Sequence, residues 1–106
     1  MREIVFRGKT YNKKWVYGIP VIDENHVLIM GVPIMKDTLG EWTGNYDKNN
    51  TPIFEGDFVA RVVDGEIDSG MVRFENGVFH YGIDTSLARK YKLLNTGDLL
   101  VIGDNT

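Results

Sequence analysis

The sequence predicts an all-β fold. Apolar residues alternate with polar ones along several short segments, as at Trp15 and Tyr17, and such alternation places them on one face of a strand. No window of about ten residues keeps a helical period together with a cap and a stop signal. Asn76-Gly77 stands between two alternating segments, and this dipeptide is typical of a two-residue hairpin turn.

Two hairpins are predicted near the start of the chain. The first pairs residues 4–6 with residues 15–17, and the second pairs residues 21–22 with residues 27–30 across residues 23–25. Residues 4–6 carry no charge or proline that would protect a strand edge, so self-association through this edge is a hypothesis.

A break in the pattern divides the chain. Pro33 and the polar residues 36–38 interrupt the alternation, which indicates an N-terminal β subdomain over residues 1–39 and a second unit over residues 40–106. The second unit is predicted to contain a strand, an acidic loop, the Asn76-Gly77 hairpin, a short helical turn and a final strand. That helical turn would begin at Thr85 or Ser86.

The Asn76-Gly77 hairpin has a definite predicted register. A type I′ turn needs positive φ at both central residues, which Asn and Gly tolerate. A slip of one residue would turn the aromatic side chains into water, so the alternation supports the register. The predicted cross-strand pairs are Glu75 with Val78, Phe74 with Phe79, Arg73 with His80 and Val72 with Tyr81.

Several motifs follow one another in an order that identifies a family. They are the start Met1-Arg2-Glu3-Ile4-Val5-Phe6-Arg7-Gly8, then Lys14-Trp15-Val16-Tyr17-Gly18, Gly40-Glu41-Trp42-Thr43-Gly44, Ile53-Phe54-Glu55-Gly56-Asp57 and Val101-Ile102-Gly103. Together they resemble the YopX family of small proteins carried by bacteriophages and prophages. The resemblance covers almost the whole chain and implies an SH3-like barrel for residues 40–106. It implies no catalytic, cofactor or ligand residues.

Composition narrows the classes of function. The chain has 106 residues and no cysteine, which excludes disulfides and thiolate sites. We see no signal segment and no apolar run long enough to cross a bilayer, so the expected location is the cytoplasm of a bacterial host. The formal charge is −3, with +1 on residues 1–53 and −4 on residues 54–106. An acidic second half disfavours nonspecific binding of nucleic acid by that half.

Two acidic segments imitate metal sites. Residues 47–51 begin like a calcium loop, but Pro52 stands where the loop needs Gly and Phe58 where it needs a bidentate Glu. We interpret this segment as a turn. Three alternating carboxylates would share one side of an extended segment, yet we expect them to be solvated and expect no metal or other cofactor. They are Asp64, Glu66 and Asp68.

Catalysis has little support in the sequence. His26 and His80 are the two histidines, and His80 is predicted to lie opposite Arg73 in the hairpin. Ser69 and Ser86 lack the surroundings of a nucleophile elbow, and no phosphate-binding glycine loop is present. We therefore expect a protein that is not an enzyme, with a small hydrolase as a distant third class.

The preferred hypothesis is a protein-binding or assembly module without catalysis, whose partner is a protein, including a second copy of itself. By default we interpret Trp42, Tyr46 and Phe54 as core residues. They are also the candidate surface for an extended peptide, because SH3-like barrels, which the resemblance implies, often hold such peptides with aromatic residues beside acidic loops. The second hypothesis is a nucleic-acid-binding accessory protein that uses the densest basic run. Its residues are Arg89, Lys90 and Lys92, with Lys13 and Lys14 nearby.

Overall fold

Antiparallel sheets make up the described part of the molecule, which confirms the all-β prediction. The computed structural model describes residues 4–75, 77–85, 88–93 and 98–104. Its strands are β1 Phe6–Lys9, β2 Trp15–Gly18, β3 Pro20–Asp23, β4 His26–Ile29, β5 Val32–Ile34, β6 Gly40–Tyr46, β7 Pro52–Phe54, β8 Asp57–Val63, β9 Glu66–Glu75, β10 Val78–Thr85, β11 Ala88–Leu93 and β12 Leu100–Asp104. A short 3₁₀ helix covers Lys36–Thr38.

The strands form three sheets. The first has the order β2-β1-β6-β7, the second β3-β4-β5 and the third β11-β10-β9-β8-β12. In the third sheet four strands follow one another as a meander, and β12 returns to pair with β8. The described pairings do not join β11 to β12, so a closed SH3-like barrel is not seen.

Both predicted N-terminal hairpins are present, but the first strand of the first hairpin is displaced. It covers Phe6–Lys9, so of the predicted residues 4–6 it contains only Phe6. Strand β1 pairs with β2 from Phe6 opposite Gly18 to Lys9 opposite Trp15, and β3 pairs with β4 with Ile22 opposite Val27. The prediction that residues 4–6 form a free strand edge is wrong. Strand β1 lies between β2 and β6, and the Val5 carbonyl already accepts the Trp42 N–H at 2.7 Å. Sequence patterns show local hairpins but not a partner strand that arrives more than thirty residues later.

The predicted register of the Asn76-Gly77 hairpin, formed by β9 and β10, is confirmed at all four pairs. Asn76 lies outside the described residues, and Gly77 has φ +81°. Val72 and Tyr81 are fully buried on the predicted apolar face, whereas Phe74 is half-exposed because the hairpin extends past the core. His80 is buried although it lies on the other face.

The expected helical turn at Thr85 or Ser86 is wrong where the structure describes it. Thr85 ends β10 and pairs with Ala88 at the start of β11, and Tyr91 is a strand residue opposite Gly82. Ser86 itself lies outside the described residues. Hydrogen bonding to a neighbouring strand outweighs the weak local preference for a helix.

Two apolar clusters stabilise the fold. The larger lies between β7 and the five-stranded sheet and contains Ile53, Val59, Val72, Tyr81 and Leu99. The smaller lies under the three-stranded sheet and contains Val27, Ile29 and Ile34, with Val16 and Leu39 packed against it. The predicted boundary between residues 39 and 40 stays a prediction. Strand β6, which follows it, pairs with β1, which precedes it.

Asp47 ties the turn after β6 to the five-stranded sheet. Its carboxylate accepts the N–H groups of Asn49 at 2.8 Å, Thr51 at 2.9 Å and Val101 at 3.0 Å. The next residue, Lys48, donates its N–H to the Leu99 carbonyl at 2.9 Å. The segment that resembles a calcium loop is therefore a turn, as interpreted from the sequence.

We expect Gly77→Val to lower the free energy of unfolding by about 1 to 3 kcal/mol, because a β-branched residue is strained at positive φ. The measurement is the denaturation midpoint. Gly103→Val is the matched control, since Gly103 has open space around its Cα and no positive φ. Equal midpoints for both variants would contradict the strained turn.

The charge of Asp47 also makes a testable contribution to the free energy of unfolding. Burial opposes ionisation, but the N–H donors of Val101, Thr51 and Asn49 lower the pKa of Asp47 below its ordinary 3.8. A lowered pKa means that the stabilisation is present above pH 3.8 and is lost as the pH falls through the folded-state value. We expect Asp47→Asn to cost about 1.5 to 3 kcal/mol at neutral pH.

The check is chemical denaturation of both proteins across a pH series. The difference between them should shrink in acid. A difference that stays constant with pH would show that the charge of Asp47 does not matter.

Candidate functional site

A bulge in β6 brings two predicted site residues together. Trp42 pairs with Phe54 and Tyr46 with Pro52, so five residues of β6 lie against three of β7. In a regular strand, residues four apart are separated by about 13 Å. Here the rings of Trp42 and Tyr46 meet edge to face with centroids 5.5 Å apart.

The bulge is held by the residues between the two rings. Gly44 has φ +85°, a conformation that residues with a Cβ rarely adopt. Thr43 is buried, and its hydroxyl donates to the Ile53 carbonyl at 2.8 Å and accepts the Asn45 N–H at 3.2 Å. The Trp42 Nε1–H donates to the Asn45 carbonyl at 3.1 Å, which fixes the indole. The Gly-Glu-Trp-Thr-Gly motif therefore has a structural reason.

The three predicted aromatic residues line one open cavity of about 350 Å³. Tyr46 is 48% exposed, Trp42 is half-buried and Phe54 is buried in the floor. Phe54 thus belongs to the buried interior while Tyr46 faces solvent, and peptide binding by these residues stays a prediction. The full lining is Val5, Arg7, Tyr17, Trp42, Tyr46, Thr51, Pro52 and Phe54.

Sequence reasoning missed Arg7 and Tyr17. They lie opposite each other in β1 and β2, so they share a face of the sheet with Trp42 and Phe54. Tyr17 is 50% exposed, and its ring lies 5.6 Å from that of Phe54. The predicted first hairpin could have paired Arg7 with Tyr17. The pairing of β1 with β6 brings Arg7 and Tyr17 beside Trp42. No local pattern in the sequence indicates this pairing.

Beneath the cavity lies a buried ion pair. Arg7 Nη2 donates to Asp57 Oδ1 at 2.5 Å, and Asp57 Oδ2 accepts the Phe54 N–H at 2.8 Å. The guanidinium carbon lies 4.0 Å from the ring centre of Trp15 and 4.6 Å from that of Phe54. Arg7 Nε is buried and has no acceptor among the described residues. The guanidinium instead lies against the faces of the Trp15 and Phe54 rings.

Burial raises the pKa of the Asp57 carboxyl above its ordinary 3.8, while the Phe54 N–H and the Arg7 guanidinium act in the opposite direction. An acid with a raised folded-state pKa contributes stability fully below pH 3.8 and loses it as the pH rises through the folded value. Arg7 limits this loss, because it stabilises the ionised carboxylate.

The remaining acidic and basic candidates lie elsewhere. Asp64 is in the turn between β8 and β9, and Asp68 accepts the Tyr81 hydroxyl at 3.0 Å. Burial and Asp68 raise the pKa of Tyr81 to about 12. Among the described residues, no group of three or more His, Cys, Asp or Glu is placed to hold a metal ion.

The predicted basic residues belong to other elements of the fold than the cavity strands. Arg89, Lys90 and Lys92 are on β11, an edge strand of the five-stranded sheet, and their side chains lie outside the described part of the chain. Lys13 and Lys14 are exposed near the turn between β1 and β2. Within the residues that the structure describes, no helix is long and apolar enough for a membrane crossing.

A model of the protein family described as "YopX protein" matches residues 4–104, nearly the whole chain. No curated protein and no solved structure matches this chain at a significant level.

We expect Arg7→Met to lower the free energy of unfolding by about 3 to 5 kcal/mol at neutral pH, because it leaves a buried carboxylate without its cation. Losing Arg7 raises the pKa of Asp57 further, so the destabilisation should shrink as the pH falls and Asp57 takes up a proton.

The measurement is chemical denaturation between acid and neutral pH. Arg7→Met/Asp57→Asn is the matched control, since a neutral amide has no charge to lose its partner. It should recover most of the stability at neutral pH. A double variant as unstable as Arg7→Met would show that the charge of Asp57 is not the cause.

Proposed function

The chain belongs to the YopX protein family, and we propose that it is a non-catalytic protein-binding module that holds an extended peptide in its aromatic cavity. The observation that carries the proposal is the cavity of about 350 Å³ between Tyr17, Trp42, Tyr46 and Phe54. Exposed aromatic side chains over a fixed floor are the usual anchors of peptide recognition.

Binding without chemistry is favoured because the charged groups and the indole N–H at the cavity already serve the fold. Both oxygens of Asp57 accept hydrogen bonds, one from Arg7 and one from the Phe54 N–H. The Trp42 indole N–H is bound to the Asn45 carbonyl. These bonds give a stiff site whose ring positions are set before a partner arrives, which lowers the entropic cost of binding.

The proposed architecture is an SH3-like barrel over residues 40–106 with an N-terminal β subdomain over residues 1–39. The five-stranded sheet supports it, because β8 to β11 form a meander and β12 returns to β8. Joining β11 to β12 is the one further pairing that would close this sheet into a barrel.

The proposed setting is the bacteriophage cycle in the cytoplasm of a bacterial host, as the family resemblance implies. The partner is a protein, and a second copy of the chain is included in that class. The alternative stays a nucleic-acid-binding accessory protein acting through Arg89, Lys90 and Lys92 on β11. The experiment below separates the two, because phosphate-driven binding weakens steeply with salt.

The test is selection of random peptides displayed on particles against the immobilised protein, followed by affinity measurement for each selected peptide. We expect Tyr46→Ala to weaken binding at least about tenfold, because a ring at the centre of the site would be lost. Tyr46 is half-exposed, so this variant should fold, and circular dichroism checks it.

Tyr11→Ala is the matched control, since Tyr11 is 69% exposed and lies outside the cavity lining. It should leave every affinity unchanged. A second control neutralises Arg89, Lys90 and Lys92 and should also have little effect. The proposal would be overturned if the binding of no selected peptide depended on Tyr46. It would also be overturned if partner binding were abolished only by the triple charge variant and by raised salt concentration.

A further inference from the structure

We propose that the occupant of the cavity is a proline-rich segment in the polyproline II conformation. This inference rests on the proposed peptide-binding function and names the class of peptide. It follows from three properties of the site: the edge of β7, which cannot be extended, a floor without net charge, and hydroxyl donors among the lining residues.

Strand addition is blocked at β7, which lines one side of the cavity. Strand β7 is one of the two edge strands of its sheet and has three residues. Pro52 has no N–H to donate, and the Phe54 N–H is already donated to Asp57. An added strand needs a row of free donors and acceptors, so a peptide here must bind through its side chains and carbonyl groups.

The charge of the floor favours an uncharged occupant. Arg7 is the cation that lines the cavity, and its guanidinium is neutralised by Asp57 at 2.5 Å. A peptide carboxylate placed here would meet Asp57 behind Arg7, and a peptide cation would meet Arg7 itself. Neutral, rigid rings such as proline suit this surface better than either charge.

The hydroxyl donors at the cavity fit polyproline II. Tyr17 and Tyr46 line the cavity and are both half-exposed, and their hydroxyls bond to no other described residue. Polyproline II leaves all its carbonyls free as acceptors, and proline brings no N–H that would need an acceptor.

The direct test is an NMR titration with an acetylated and amidated oligoproline of about ten residues, which adopts polyproline II on its own. The chain has two tryptophans, and of these Trp42 lines the cavity whereas Trp15 does not. We expect the Trp42 indole N–H signal to shift and the Trp15 signal to stay. A peptide of the same length with alanine for proline should cause no shift.

Variants of the cavity residues test which side chains contact the oligoproline. Tyr46→Ala should weaken oligoproline binding at least about tenfold, and Tyr11→Ala should not change it. Tyr17→Phe/Tyr46→Phe keeps both rings and removes both hydroxyls, so it should weaken binding by roughly two- to tenfold. Unchanged affinity in this double variant would overturn the donor argument and with it the assignment of polyproline II.

The outcomes also separate this inference from the function on which it rests. If oligoproline does not bind while selected peptides without proline bind in a Tyr46-dependent manner, the proline-rich class is wrong and the peptide site stands. If neither oligoproline nor any selected peptide depends on Tyr46, both proposals fall.

Discussion

The ion pair between Arg7 and Asp57 is the constraint on which the rest of the structure depends. Arg7 belongs to the first sheet and Asp57 begins a strand of the five-stranded sheet, and both side chains are almost fully buried. A buried charge without a partner is strongly unfavourable, so this pair specifies how the two sheets pack. A second ion pair joins the same two sheets, with Lys9 Nζ 3.7 Å from Asp104 Oδ1. It is more exposed and therefore contributes less to stability.

The cavity is a consequence of the same contact. Asp57 holds the Phe54 N–H, which positions the floor, and Arg7 lies against the Phe54 and Trp15 rings. The bulge at Gly44 then folds β6 so that Trp42 and Tyr46 stand over that floor. Groups that stabilise the fold thus also set the spacing of the exposed rings.

The packing of the sheets also defines which surfaces can bind. Strand β1 has β2 on one side and β6 on the other, so the segment that resembled a free edge is enclosed. The edge at β7 is exposed but lacks usable donors, because of Pro52 and the bond from Phe54 to Asp57. The cavity beside β7 therefore presents side chains rather than free backbone donors of β7.

Local patterns in the sequence determined the strand content, the hairpins of β1 with β2 and β3 with β4, and the register of β9 with β10, because alternation and turn residues act over a few positions. They also indicated Trp42, Tyr46 and Phe54 as one surface. Only the tertiary structure decided that β1 pairs with β6, that Ala88–Leu93 is a strand, and that Arg7 and Tyr17 belong to the cavity. These features depend on hydrogen bonds and charges brought together from distant parts of the chain, or on a neighbouring strand that outweighs local preference, and no short window of sequence contains both partners.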